Sequence, residues 1–344
     1  MAKTAFITGI TGQDGAYLSK LLLEKGYKVY GGFRRAAGQS KFENLAALGL
    51  ENQIVMHDFE LAEYSNIQRS IEKIAPDEIY NLAAQSFVGA SFEVPIYTVD
   101  VNALGVMRIL EAIRVANAKT RFYQASTSEM FGLSPPPQDE NTAFYPRSPY
   151  ANGKLLAHWA TVNYRESFGL HATSGILFNH ESPLRGPEFV TRKISRALTR
   201  IAVGHDETLR LGNLNATRDW GFAGDYVEGM WQMMQAEKAG TYVLATGQGH
   251  SVRDFVKAAA AHLGFDLVWS GSDENEVGVD RKSGKTLVCV DPAFYRPAEV
   301  HALLGSARKA KAELNWEHKV SFDGLVKMMV DSDLELAKKA WRKD

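Results

Sequence analysis

Between residues 126 and 154 the chain carries the side chains with the clearest chemistry. Ser126-Thr127-Ser128-Glu129 is followed by Tyr150-Ala151-Asn152-Gly153-Lys154. If the segment from Tyr150 is helical, Tyr150 and Lys154 lie one turn apart on one face. An ammonium beside a phenol favours the phenolate and draws the tyrosine pKa down from about 10 towards working pH. Such a phenolate can take the proton of a sugar hydroxyl while a hydride leaves the same carbon. Glu129 adds a carboxylate for a second proton transfer, which oxidation alone does not need. A lone Tyr-x-x-x-Lys is usually a chance surface pair. This one shares its chain with a glycine-rich nucleotide signature.

That signature opens the chain. Thr4–Thr8 reads as a short buried strand, Gly9-Ile10-Thr11-Gly12-Gln13-Asp14-Gly15 as a turn, and the apolar run from Tyr17 to Leu23 as an amphipathic helix reaching Gly26. Three glycines at a strand-to-helix turn let the backbone approach a pyrophosphate, which rests on the helix N-terminus. The spacing is G-x-x-G-x-x-G, not the commoner G-x-G-x-x-G. A second strand, Lys28–Phe33, ends in Arg34-Arg35. An acidic residue there would bind the ribose 2′-hydroxyl of NAD, whereas arginine accommodates the 2′-phosphate of NADP. The cofactor read from the residues is NADP.

Elements able to position these groups follow in order. Strand-like runs at 53–56, 78–82 and 121–125 alternate with helical stretches, notably 63–74 and 97–116. The expected fold is α/β: a doubly wound, Rossmann-type parallel sheet with a smaller C-terminal α/β substrate-binding lobe. Residues 1–178 are read as the NADP-binding domain, with 218–240 returning to it, and 179–344 mainly as the substrate-binding lobe. Helices are expected at 189–203 and 321–340 and helix on sheet over 218–235, whereas the polar stretch 270–286 reads as an exposed loop or flap. The 344 residues carry a formal net charge of −1, which suggests neither a nucleic-acid nor a membrane-surface role. The single cysteine, Cys289, gives no internal disulfide framework and fits a reducing, cytoplasmic setting. No signal peptide is read before the first strand, and no apolar run approaches the roughly 18 residues of a membrane helix. One cysteine and nine scattered histidines form no zinc-type spacing, so no metal is expected.

With these residues in place the chain resembles the extended short-chain dehydrogenases/reductases and, within them, the GDP-mannose 4,6-dehydratase family. The likeness runs through GITGQDGAYL (9–18), FRR (33–35), NLAAQS (81–86), FYQASTSEMFG (122–132) and FYPRSPY (144–150). It continues through NYRESFG (163–169), LFNHESP (177–183), FVTRKI (189–194), LGN (211–213), RDWG (218–221) and YRPAEV (295–300). The resemblance implies a catalytic set of Thr127, Glu129, Tyr150 and Lys154. It implies a cofactor set of Gly9, Thr11, Gly12, Gln13, Asp14, Gly15, Arg34, Arg35, Asp58, Phe59, Leu82, Ala83, Ala84, Ser86, Tyr97 and Lys154, with His180 and Arg185 closing on it. Nucleotide-sugar contacts are implied at Ser86, Asn179, Lys193, Arg218, Arg296 and Glu299, where the cations suit a diphosphate. Departures from the family pattern are the Ala-Asn-Gly filler between Tyr150 and Lys154, the segment Ala36-Ala37-Gly38-Gln39, and Leu184 and Pro187 in place of polar residues.

The implied substrate is GDP-mannose and the implied assembly a homo-oligomer, dimer or tetramer. In the implied reaction Tyr150 takes the 4-hydroxyl proton as the C4 hydride goes to NADP⁺. Glu129 removes the C5 proton, water leaves from C6, and the hydride returns there to give GDP-4-keto-6-deoxymannose. Alternatives are a nucleotide-sugar 4-epimerase, which needs no base at C5, a 4,6-dehydratase of a GDP-heptose, and an NADP-sensing protein that has lost the chemistry.

Overall fold

A computed structural model describes residues 2–35, 42–295 and 298–341. In chain order its strands and helices begin β1 (Thr4–Thr8), α1 (Gln13–Glu24), β2 (Lys28–Phe33), α2 (Glu43–Ala47), β3 (Val55–Asp58), α3 (Tyr64–Ile74) and β4 (Glu78–Asn81). Then come α4 (Val88–Glu93), α5 (Pro95–Val99), a π-helical turn at Asp100–Leu104, α6 (Gly105–Ala116), β5 (Arg121–Thr127), α7 (Pro149–Phe168), β6 (Ala172–Leu177) and β7 (Asn179–Glu181). The remainder is α8 (Val190–Ala202), β8 (Leu209–Leu211), β9 (Thr217–Phe222), α9 (Ala223–Gln235), β10 (Thr241–Leu244), β11 (Gly249–Ser251), α10 (Val252–His262), β12 (Leu267–Ser270), β13 (Val277–Asp280), β14 (Thr286–Val290), α11 (Arg308–Leu314) and α12 (Phe322–Trp341).

Among the described residues the main sheet has seven strands in the order β10-β6-β5-β4-β1-β2-β3, every neighbouring pair parallel. This is the doubly wound arrangement read from the sequence. Both faces are covered, so successive strand residues bury alternately. Phe6, Ile79, Phe122 and Ala172 pack with α3, α6 and α7, while Ile7, Tyr80 and Tyr123 pack with α1 and α9. A second core lies under α8, α10 and α12 around β8, β9 and β14. Strand β9 joins β7 and β11 in a small sheet, and β12, β13, β14 and β8 form another.

Several boundaries differ from the sequence reading. The third strand runs Val55–Asp58 instead of 53–56, and the fifth extends to Thr127, so Asp58, Ser126 and Thr127 end strands instead of following them. Residues 218–222 are strand, not helix. The stretch 270–286 is not a flap: β13 sits between β12 and β14. Its inward positions are Gly278, close beneath Trp269, and buried Asp280. The Asp280 carboxylate accepts hydrogen bonds from the Asp266 and Ser283 amides and the Ser283 hydroxyl. A buried strand face made of glycine and a satisfied carboxylate leaves no apolar period to read. Residues 36–39 and Arg296 lie outside the described residues, as do Arg342 and Lys343. Among the described residues no helix is long and apolar enough to cross a membrane, and no group of three or more His, Cys, Asp or Glu could hold a metal.

Candidate functional site

A cavity of about 840 Å³ opens beyond the carboxyl ends of the main strands, where ligands of open α/β sheets bind. Helix α7 delivers the tyrosine and lysine. The Ser148 hydroxyl caps it by accepting the Ala151 amide at 3.1 Å, Pro149 fits its first turn, and Gly169 ends it at φ 69°. Gly153 has a packing reason: a Cβ there would meet Asn102 Cβ of the π-helical turn at 3.3 Å.

Thr127, Glu129, Tyr150 and Lys154 all line this cavity and all are buried. Burial pushes the Tyr150 phenol up to about 12; a hydrogen bond from Thr127 and the charge of Arg185 pull it down, and the Glu129 carboxylate pushes it higher. The sequence expectation that Lys154 draws this pKa down is therefore corrected for the protein alone. The ammonium lies 5.9 Å from the tyrosine ring centre and donates instead to the Ala125 carbonyl at 2.9 Å. Burial lowers Lys154 itself to about 8.

Of the other residues named from the sequence, Asp14, Leu82, Ala84, Ser86, Asn179, His180, Arg185, Lys193, Arg218 and Glu299 line the same cavity. His180 bridges Asp14 at 2.9 Å and the Phe178 carbonyl at 2.7 Å. Burial works against the His180 charge, yet the neighbouring carboxylate raises its pKa above the ordinary value. For Asp14, burial is outweighed by the His180 charge and hydrogen bond, and its pKa falls. Arg218 lies 3.8 Å from Glu299. The Lys193 ammonium sits 3.3 Å from the centre of the Phe294 ring, and burial lowers its pKa. Arg34, Arg35, Asp58 and Phe59 instead line a separate hollow of about 230 Å³ at the ends of β2 and β3. There Arg35 pairs with Asp58, and Arg34 donates to the Tyr97 hydroxyl.

Gly9, Thr11, Gly12, Gln13, Gly15 and Ala83 build the turn behind the cavity. Gly9 has φ 71°, and a Cβ on it would meet the Ala83 nitrogen at 2.8 Å; one on Gly15 would meet the Ile10 carbonyl oxygen at 2.6 Å. The Thr11 carbonyl accepts from Asn44, and the Gln13 amide donates to the His180 carbonyl. Gly12 starts α1 without a side-chain cap, so the helix N-terminus carries its positive pole uncapped. Buried Asp14 Oδ1 and Asn179 Oδ1 lack hydrogen-bond partners. An uncapped helix end, two orphan acceptors facing the cavity and an arginine pair at the end of β2 fit a dinucleotide laid across the strand ends.

Sequence reasoning missed two wall residues and an arginine behind the wall. Phe87 and Phe189 meet edge-on across the cleft at 6.0 Å. Arg192, itself paired with Asp333 of α12 at 2.8 Å, donates to the carbonyls of Pro183 and Arg185 and so fixes the loop that carries Arg185. The aromatics look like ordinary core in one sequence. An arginine on the buried face of α8 was the available signal.

The family model described as GDP-mannose 4,6 dehydratase matches residues 6–329. "GDP-mannose 4,6 dehydratase 1" of Arabidopsis thaliana is 51% identical over 98% of this chain and 91% of its own length. "GDP-mannose 4,6 dehydratase" of Homo sapiens is 49% identical over 96% and 91%. Among solved structures, a Thermus thermophilus UDP-glucose 4-epimerase in complex with NAD superposes with TM-score 0.78 at 25% identity, over 96% of this chain and 98% of that one. A Bacillus anthracis dTDP-glucose 4,6-dehydratase in complex with NAD gives 0.79 at 19%, over 99% of each, a likeness of fold.

Proposed function

The chain belongs to the GDP-mannose 4,6-dehydratase family, and from that premise we propose that it converts GDP-mannose to GDP-4-keto-6-deoxymannose with loss of water. The observation that carries this reading is the buried carboxylate of Glu129 in the cavity shared by Thr127, Tyr150 and Lys154. Oxidation at C4 or epimerisation there has no use for it; elimination across C5 and C6 does.

In this reading Tyr150 takes the proton of the sugar 4-hydroxyl while Thr127 hydrogen-bonds the same oxygen. The resulting ketone acidifies the C5 proton. Glu129 takes that proton and passes it to the departing C6 hydroxyl, which leaves as water. A second proton, drawn from solvent through Glu129, then reprotonates C5, and the proton that Tyr150 took from O4 returns to solvent. A nicotinamide dinucleotide bound here would supply the redox chemistry, as the hydride acceptor for C4 and donor for C6, without net consumption. Lys154, anchored on Ala125, places a positive charge near the phenol. We assign the cofactor as NADP, held by the glycine turn, Asp14, Leu82, Ala84 and Ser86, with Arg34 and Arg35 on the 2′-phosphate and His180 and Arg185 closing over it. Ser86, Asn179, Lys193, Arg218, Arg296 and Glu299 are assigned to the nucleotide sugar. On this assignment residues 1–178 with 218–240 hold the dinucleotide and the rest of 179–344 mainly the sugar nucleotide.

A second copy of the chain is the proposed partner. Ile96, Leu104, Met107, Leu156 and Trp159 leave large apolar surface exposed on α5, the π-helical turn, α6 and α7, with Ile96 83% and Trp159 53% accessible. Apolar exposure on this scale marks an interaction surface.

Isotope transfer tests the reaction. C4-deuterated GDP-mannose, mixed with a distinguishable unlabelled substrate, should yield deuterium in the C6 methyl group of the same molecule, and solvent deuterium should enter at C5. Label crossing to the partner substrate, or lost from C6, excludes internal transfer and the dehydratase reading with it.

A further inference from the structure

Two registered rows of side chains cross the face of the main sheet that α7 covers. The first, Phe6, Ile79, Phe122 and Ala172, is apolar and fully buried. The second lies one side-chain step nearer the cavity and consists of Thr8, Asn81, Gln124 and Ser174, equally buried yet wholly polar. Burying four polar side chains where the neighbouring row is hydrocarbon is costly unless every group is bonded.

Three of them form one directed chain. The Ala83 amide donates to the Thr8 hydroxyl at 3.2 Å, and Thr8 donates to Asn81 Oδ1 at 2.7 Å. Asn81 Nδ2 donates to Gln124 Oε1 at 2.8 Å, and Gln124 Nε2 donates to the Ala125 carbonyl at 3.0 Å. The same carbonyl accepts the Lys154 ammonium at 2.9 Å. It lies one residue past the last register pair between β4 and β5, Asn81 with Gln124. At its other end the chain starts from Ala83, against which the Gly9 turn is packed.

We propose that Gln124 is a positioning residue for Lys154, and that the row Thr8–Asn81–Gln124 holds the ammonium at a fixed place relative to the glycine turn. The donors along the row settle both amide orientations, so the donor end of Gln124 is aimed at the oxygen that Lys154 uses. Two donors converge on one carbonyl, and the lysine is confined to the remaining lone pair. A hydrocarbon row would leave that carbonyl open and the lysine free to swing towards Asp14, whose charge acts on it. The role assigned to the lysine rests on the proposed dehydratase reading; its placement does not.

Competitive acetylation of the purified protein with acetic anhydride, read at the Lys154 peptide by mass spectrometry across pH, reports the lysine's titration midpoint without need of turnover. The titratable groups around that lysine are Asp14 of α1, Tyr150 and His158 of its own helix, and Glu129. Gln124→Glu puts a carboxylate beside the ammonium and should raise the midpoint by about one unit or more. Gln124→Met removes the competing donor and should raise it by less. In GDP-mannose turnover both variants should lose about tenfold or more in kcat, with KM within about twofold, while Gln124→Met, which leaves Asn81 Nδ2 without its acceptor, should melt a few degrees lower and still fold. A Lys154 midpoint equal to wild type in whichever variant folds overturns the proposal, as does unchanged kcat in an active enzyme. A wild type that labels as described but fails to turn over GDP-mannose counts against the dehydratase reading alone.

Discussion

At the scale of single residues, burial in the protein alone holds the Tyr150 phenol up and brings Lys154 near neutrality. The phenolate that the C4 step uses therefore depends on positive charge brought beside the ring, from Lys154 and from a bound oxidised nicotinamide. Tyr150 stands at about 12 and Lys154 at about 8. Below about 8 the lysine keeps its charge, and above it the charge supporting the phenolate is lost. The profile of kcat/KM against pH should therefore fall on the alkaline side from about 8, and Lys154→Met should be nearly inactive throughout. An activity that keeps climbing beyond about pH 9 in wild type would remove the lysine from this role. Glu129→Gln should still reduce bound cofactor when GDP-mannose is added, because the C4 step draws on Tyr150, Thr127 and Lys154 and not on Glu129. It should form no deoxy product, a loss of about 10³-fold or more in turnover that coupled absorbance and mass spectrometry will read together. That Glu129, Tyr150 and Lys154 share one cavity was legible in the sequence, because helical spacing and residue type sufficed to group them. The state of the phenol was not, because desolvation depends on what closes over the ring.

Secondary-structure elements carry the next level. Gly9 and Gly26 both have positive φ, 71° and 80°, but a Cβ would strike Ala83 at Gly9 and would meet nothing within 4 Å at Gly26. Gly26→Ala should cost about 1–2 kcal/mol of stability, the backbone strain alone. Gly9→Ala should cost more and should also abolish dinucleotide binding, as calorimetry will show. At the end of β2, alanine at both Arg34 and Arg35 should erase most of a preference for NADP⁺ over NAD⁺. Equal affinity of the wild type for the two nucleotides would refute the assignment of these arginines. Glycine spacing, strand-end arginines and the alternation of apolar strand-like runs with amphipathic helices are local signals, which is why the parallel sheet and its turn could be read from one chain. The four-stranded sheet could not, since β13 hides its buried face behind Gly278 and Asp280. The Phe87–Phe189 contact joins residues far apart in sequence, and Arg192 acts through a helix residue 141 positions onward; neither leaves a periodic trace.

For the molecule as a whole, Asp14 and His180 join α1 to β7 across the cleft. The folded pKa of His180 is raised, so its contribution is complete below about 6.5, its ordinary value, and is lost as pH rises through the folded value. That of Asp14 is lowered, so its contribution holds above about 3.9 and fades as pH falls through the folded value. His180→Gln should thus lower the melting temperature most between about pH 4 and 6.5 and least in alkali. Trp159→Asp together with Ile96→Asp should shift the protein to a monomer in light scattering without unfolding it, if the exposed face of α5 and α7 seats a second copy. The chain path also crosses the cleft more than once. After β6 the backbone leaves the main sheet, comes back for α9 and β10, leaves for β11 to β14, comes back for α11 beside β10 and leaves again for α12 against α8. The two halves of the cleft are thus stitched by the backbone itself. A protease nick at the 203–208 turn should leave the pieces held together and the cavity walls in place, whereas a gene cut at residue 178 would strip the main sheet of its β10 edge and could not deliver a freestanding dinucleotide-binding half.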